Sequence, residues 1–211
     1  MASATMKKKN VIRIRTGLDV SGAIGNTPLV RLKKLVPAGC GQVFVKLESQ
    51  NPTGSMKDRM ALGLIAKAEE DGRLSHGTTV VEYTGGTTGA SLAMVCAAKG
   101  YRIQVVSSRA FSQEKLDQMV ALGAELTLVP YDGNGITKQL ILDMIETARM
   151  LSREPRTYWT DQLNNTDSIF GYFALGEEIW TQTNGKVDVF IQSVGTAASL
   201  RGVGTVHRAS L

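Results

Sequence analysis

From Thr78 onward the chain alternates short β-branched runs with single helical stretches, and this alternation restricts its fold more than any other feature. Thr79 to Tyr83 reads as a strand, followed by a Gly/Thr loop, the apolar helix Ala90 to Lys99 and a second strand over Arg102 to Ser107. The pattern continues with helix Gln113 to Leu122, stopped by Gly123, then strand Glu125 to Val129 and helix Ile136 to Leu151. Strand Thr157 to Thr160, helix Asp167 to Thr181 and strand Val187 to Val194 complete it. Strands joined through one helix each need crossovers and so run parallel. This predicts the α/β class, with parallel sheets covered by helices on both faces. Val11 to Arg15 reads as a further strand near the N-terminus.

In such sheets ligands collect where strands end and helices begin, because unpaired backbone N–H groups converge there with the positive end of a helix. Three turns have that position: Asn51 to Lys57, Thr84 to Gly89 and Gly195 to Ser199. In the first, NPTGSMKDR, Ser55 and Asp58 have the spacing of a capping box that opens a helix from about Met56 to Asp71, closed by Gly72. Lys57 then sits in the first turn, where the helix dipole opposes its charge. Desolvation would lower its pKa further and expose a neutral amine suited to a Schiff base with a carbonyl cofactor. A solvated first-turn lysine is the plainer reading of the same residues. The second turn, TGGTTG, either brings backbone and threonine hydroxyls close to an anion or simply caps a helix. The third, GTAAS, either cradles a phosphate through Thr196, Ser199 and its amides or is an ordinary turn.

Other chemistries lack their signatures. TGGTTG is not GxGxxG, and the next strand ends in VVSSR without an acid, which argues against a nicotinamide dinucleotide. GTAAS has no phosphate-loop lysine, which argues against ATP or GTP. Cys40 and Cys96 have no metal or redox spacing, His76 and His207 are the only histidines, and neither HExxH nor GxSxG occurs, so no metal site is expected. The net charge of +5 comes from 24 Lys and Arg against 19 Asp and Glu. Its excess lies in Lys7, Lys8, Lys9, Arg13 and Arg15, ahead of the first acid, Asp19, which leaves a neutral body with no nucleic-acid footprint. The longest apolar run, Ala90 to Ala98, is too short to span a membrane. Unpaired cysteines point to the cytoplasm, with organellar import through the basic leader left open.

Taken in order, IGNTPLVRL (Ile24 to Leu32), VKLESQNPTGSMKDR (Val45 to Arg59), EYTGGTTG (Glu82 to Gly89), AAKGY (Ala97 to Tyr101), DQLNN (Asp161 to Asn165), GEEIW (Gly176 to Trp180) and VDVFIQSVGTAASLRGVG (Val187 to Gly204) resemble the cysteine synthase and cystathionine β-synthase family of fold type II pyridoxal-phosphate enzymes. The resemblance covers nearly the whole chain from Ile24. It implies a tryptophan-synthase-β-like fold in which residues 1–49 belong to the larger domain, 50–151 form a smaller α/β domain, and 152–211 begin the rest of an incomplete larger domain.

The resemblance also implies pyridoxal 5′-phosphate as cofactor, bound covalently by Lys57, which later acts as base or acid at the substrate α-carbon. Gly195, Thr196, Ala197, Ala198 and Ser199 would surround the cofactor phosphate, and Thr87 would take the place of the Asn that meets the cofactor's 3-oxygen. Thr84, Gly85, Gly86 and Thr88 would receive the amino-acid carboxylate, with Gln162 facing the substrate from across the cleft. The implied activity is replacement of the leaving group of an O-activated serine by sulfide to give cysteine, in a homodimer. Cystathionine synthesis, dehydration, desulfhydration and a non-catalytic cofactor-binding role compete with it.

Departures from the family pattern carry expectations of their own. TGGTTG stands where TSGNTG is usual, which changes cofactor tuning and the grip on the carboxylate. GTAAS stands where GTGGT is usual, and since alanine resists positive φ, a helix-like backbone is expected at Ala197 and Ala198. The last residues, VHRASL, leave the family pattern, so the remainder of the larger domain, with the Ser or Thr that meets the pyridine nitrogen, is expected to be absent. A chain of this length is accordingly expected to catalyse poorly, bind cofactor weakly and self-associate.

Overall fold

The computed structural model describes residues 19–209, and the strand expected over Val11 to Arg15 falls outside them. A two-stranded antiparallel ribbon of β1 (Leu29–Arg31) and β2 (Phe44–Lys46) precedes helix α1 (Lys57–Glu70). The predicted alternation follows as β3 (Thr79–Tyr83), α2 (Thr87–Lys99), β4 (Arg102–Ser107), α3 (Gln113–Ala121), β5 (Glu125–Leu128), α4 (Lys138–Leu151) and β6 (Thr157–Trp159). A 3₁₀ segment over Thr166–Tyr172 leads into α5 (Phe173–Gln182), and α6 (Ala198–Ala209) comes last. The helix expected from Asp167 thus starts as 3₁₀ and becomes α-helical only at Phe173.

The four strands β3 to β6 form one parallel sheet in the order β5-β4-β3-β6. Burial on both faces explains why these strands read as near-continuous apolar runs. Val80 of β3 packs with α1, α2 and α3, whereas Val81 and Tyr83 pack on the other side with Leu140, Met144 and Ala148 of α4. β6, which the expected domain division assigns to the larger domain, pairs with β3 in this sheet. Chain order reverses there, since β3 continues to β4 on one side and receives β6 on the other. Such a reversal opens a crevice at the strands' C-terminal ends.

Helix α1 carries two apolar faces. Ala61, Ile65 and Ala68 join the core over the sheet, while Met60 and Leu64 join a second core with Tyr172, Leu175, Ile179, Ala198 and Val203. The second contact needs bare backbone, because a Cβ on Gly63 would lie 2.7 Å from the backbone of Gly171. The strand expected over Val187 to Val194 does not form. A strand exists only where a neighbour pairs its N–H and C=O groups, and this segment has no ladder among the described residues. Phe190 instead packs on the second core, and Val189, Ile191 and Val194 are exposed.

Candidate active site

Lys57 is the first residue of α1, after a short 3₁₀ segment over Glu48–Gln50 and a run of turns. The expected capping box does not close. Ser55 Oγ accepts from the Lys57 backbone N–H at 3.1 Å, but Asp58 is fully buried and turned elsewhere. Its carboxylate accepts from Thr53 N at 2.8 Å, from the Thr53 hydroxyl and from Ser91 Oγ of α2 at 2.6 Å, so it ties the loop to the neighbouring helix. Arg59 is also buried, pairing with Glu48 at 2.7 Å and with Glu178 at 2.8 Å. Burial pulls the Glu178 carboxyl up, yet hydrogen bonds from Arg59 and Lys46 overcome it and hold the pKa at about 2.

Lys57 differs from both neighbours. It is half-buried, its amine has no hydrogen-bond or ion-pair partner among the described residues, and burial lowers its pKa from the ordinary lysine value. Burial without a carboxylate to hold the proton favours the neutral amine, the form that can act as a nucleophile.

The TGGTTG loop leaves the C-terminal end of β3 at the sheet's reversal. Thr84 N extends the ladder by donating to Val106 O at 2.9 Å, and Thr84 Oγ1 accepts from Gly86 N at 3.1 Å. Helix α2 then starts at Thr87 with no side-chain cap, so its first N–H groups remain available to an anion. Gly85 lies against the Phe111 ring, which a Cβ there would approach to 2.1 Å. Thr88 is buried and its hydroxyl donates to Gln162 Oε1 at 2.8 Å, joining two expected substrate contacts across the β3/β6 crevice. The Thr87 hydroxyl makes no hydrogen bond among the described residues.

Gly195 and Thr196 lead into α6, whose first turn holds Ala198 and Ser199. The helix-like backbone expected at Ala197 is not found, because its φ is +63°, in the left-handed region. That conformation puts Ala197 O where it accepts from Arg201 N at 3.0 Å and starts the helix. The hydroxyls of Thr196 and Ser199 have no protein partner among the described residues. This loop approaches the start of α1 through Gln192, whose amide donates to Met56 Sδ at 3.7 Å, but Lys57 bonds to neither glycine-containing loop.

A neutral-leaning amine, hydroxyls without partners and uncapped helix N-termini suit a carbonyl cofactor that carries a phosphate. No group of three metal-ligating side chains occurs among the described residues, and no described helix is long and apolar enough to cross a membrane. Sequence reasoning missed Glu82, Thr160 and Phe111. Only Glu82 left a legible signal, as an acid inside a strand whose other positions suit burial.

Comparison with known proteins gives a consistent picture. The family described as pyridoxal-phosphate dependent enzymes matches residues 20–210. Cysteine synthase B of Salmonella typhimurium is 41% identical over 182 residues, covering 85% of this chain and 58% of that protein. A cysteine synthase of Staphylococcus aureus is 40% identical over 190 residues, covering 89% and 59%. Among solved structures, a hydrogen sulfide-producing enzyme from Fusobacterium nucleatum superposes with a TM-score of 0.84 at 34% identity, covering 94% of this chain and 64% of that one. A cysteine synthase from Entamoeba histolytica gives 0.85 at 29% identity, covering 100% and 61%. The chain therefore spans about three fifths of the length of the relatives it matches.

Proposed function

Because the chain belongs to the pyridoxal-phosphate dependent enzymes, we propose that the enzyme it represents replaces the leaving group of an O-activated serine with sulfide or a thiol, giving cysteine or a related thioether. The observation that carries this reading is Lys57, a half-buried amine without a partner at the start of α1. When bound, pyridoxal 5′-phosphate supplies an electron sink for the pair left on the α-carbon when its proton is removed. Lys57 holds the cofactor through Nζ, then takes the α-proton and later returns it. The α2 amides with Thr84, Gly85, Gly86 and Thr88 orient the substrate carboxylate, and Gln162 braces Thr88 from the far wall. Thr87 would help to hold the cofactor. Gly195, Thr196, Ala197, Ala198 and Ser199 hold the phosphate at the positive end of α6.

The partners in this reading are a small amino acid and sulfide or a thiol, in the cytoplasm. The exposed Val30, Phe44 and Val45 of the ribbon support assembly as a homodimer. The likeness to the hydrogen sulfide-producing enzyme favours a second direction, release of sulfide from cysteine, which needs the same α-proton transfer by Lys57.

Incubating the chain with cofactor, reducing with borohydride and mapping peptides should place the pyridoxyl group on Lys57, and Lys57→Ala should abolish the visible absorption. Label on another lysine, or full colour in Lys57→Ala, overturns the assignment.

A further inference from the structure

Glu82 belongs to none of the groups assigned above, yet it is buried where β3 meets the turn after β6. It is the fourth residue of β3, has no exposed surface and, by the two-residue period of a strand, shares the face of Val80 toward α1 and α2. A carboxyl in that position must find its partners within the protein. Its Oε1 accepts from Tyr83 N at 3.1 Å. Its Oε2 meets the Thr160 hydroxyl and accepts from Gln162 N at 3.2 Å. These two bonds straddle Asp161, which has φ +42°, a left-handed conformation that a residue with a Cβ rarely adopts. The same turn swings the Gln162 side chain onto Thr88.

The Thr160 hydroxyl also lies 3.3 Å from Val81 O. With Glu82 protonated, the carboxyl can donate to Thr160, and Thr160 can donate onward to Val81. The junction is then fully bonded without a buried negative charge.

We propose that Glu82 is a positioning residue: by holding both sides of the left-handed turn at Asp161 it sets Gln162 against Thr88 and so fixes the site's grip on the substrate carboxylate. This rests on the reading of Thr84 to Thr88 as the carboxylate loop. Glu82 reaches neither substrate nor cofactor and acts through Gln162.

The test uses the full chain with bound cofactor, titrated with O-acetyl-L-serine or L-cysteine and followed by the change in visible absorption. Glu82→Ala should weaken amino-acid affinity at least tenfold while cofactor affinity stays within about twofold. Glu82→Gln keeps an acceptor for Tyr83 N and a donor toward Thr160 Oγ1, losing only the acceptor for Gln162 N, and should restore affinity to within about threefold. Should Glu82→Ala fail to fold, Thr160→Val carries the test, since it removes the bonded hydroxyl at similar volume and should weaken amino-acid binding at least threefold. Unchanged amino-acid affinity in the folded variant, or equal loss of cofactor and amino acid, overturns the positioning role alone. Amino acids that leave the unsubstituted holoprotein's spectrum unchanged overturn the carboxylate-loop reading and this role with it.

Discussion

Lys57 and Glu82 are both pressed out of water, and burial drives each toward its neutral form, one by losing a proton and the other by keeping it. For Glu82 burial outweighs the bonds from Thr160 and Gln162 N, Asp161 across the junction adds to it, and the pKa is pushed up to about 8. An unfolded chain ionises this carboxyl near 4.5, so between 4.5 and about 8 the folded protein keeps a proton that the unfolded one has lost. The contribution is therefore complete below the lower value and declines as pH rises, by up to about 1.4 kcal/mol per pH unit. Glu82→Gln should gain stability relative to the parent across that interval in urea denaturation, and a gap independent of pH would show that the folded protein holds Glu82 ionised. At Ala197 the sequence misleads for a different reason. Alanine resists positive φ by only about 1–2 kcal/mol, and starting α6 at this point outweighs that preference.

At the level of elements, the strands and helices from Thr79 to Leu151 are legible because each is set by its own apolar period and punctuated by glycine. What fails is whatever depends on a partner elsewhere in the chain. Val187 to Val194 has the composition of a strand without the ladder, and Ser55 and Asp58 have the spacing of a capping box although Asp58 is claimed by Thr53 and Ser91. The Gly63 and Gly171 contact is of the same kind, since neither glycine sits at a turn and each is explained only by backbone approaching from elsewhere, that of Gly171 at Gly63 and that of Arg59 and Met60 at Gly171. Gly63→Ala should cost about 1–3 kcal/mol by forcing α1 off the 3₁₀ segment. A loss under about 0.5 kcal/mol in chemical denaturation would show that the two backbones separate freely.

Across the molecule, one buried ion network joins pieces that are remote in sequence. Lys46 and Glu48 come from the ribbon and the turn after it, Arg59 from α1 and Glu178 from α5. Arg59→Ala would leave two carboxylates without their shared cation and should cost about 3–5 kcal/mol, read as a fall in the denaturation midpoint. A change below about 1 kcal/mol would mean that Lys46 alone neutralises the cluster. Nothing in the sequence pairs these four residues, although the motifs that contain them were legible one by one.

The pairing of β6 with β3 also bears on how the protein is made. The contacts between β3 and β4 are local, whereas Thr160 meets Val81 across 79 residues of chain, and β6 adds a ladder of only three residue pairs. Closing so long a loop for so short a ladder is entropically the more demanding step. During synthesis Lys57 and the TGGTTG turn leave the ribosome well before Gln162, so in the proposed site a nascent chain would hold its nucleophile for some time before the wall that braces Thr88 is in place.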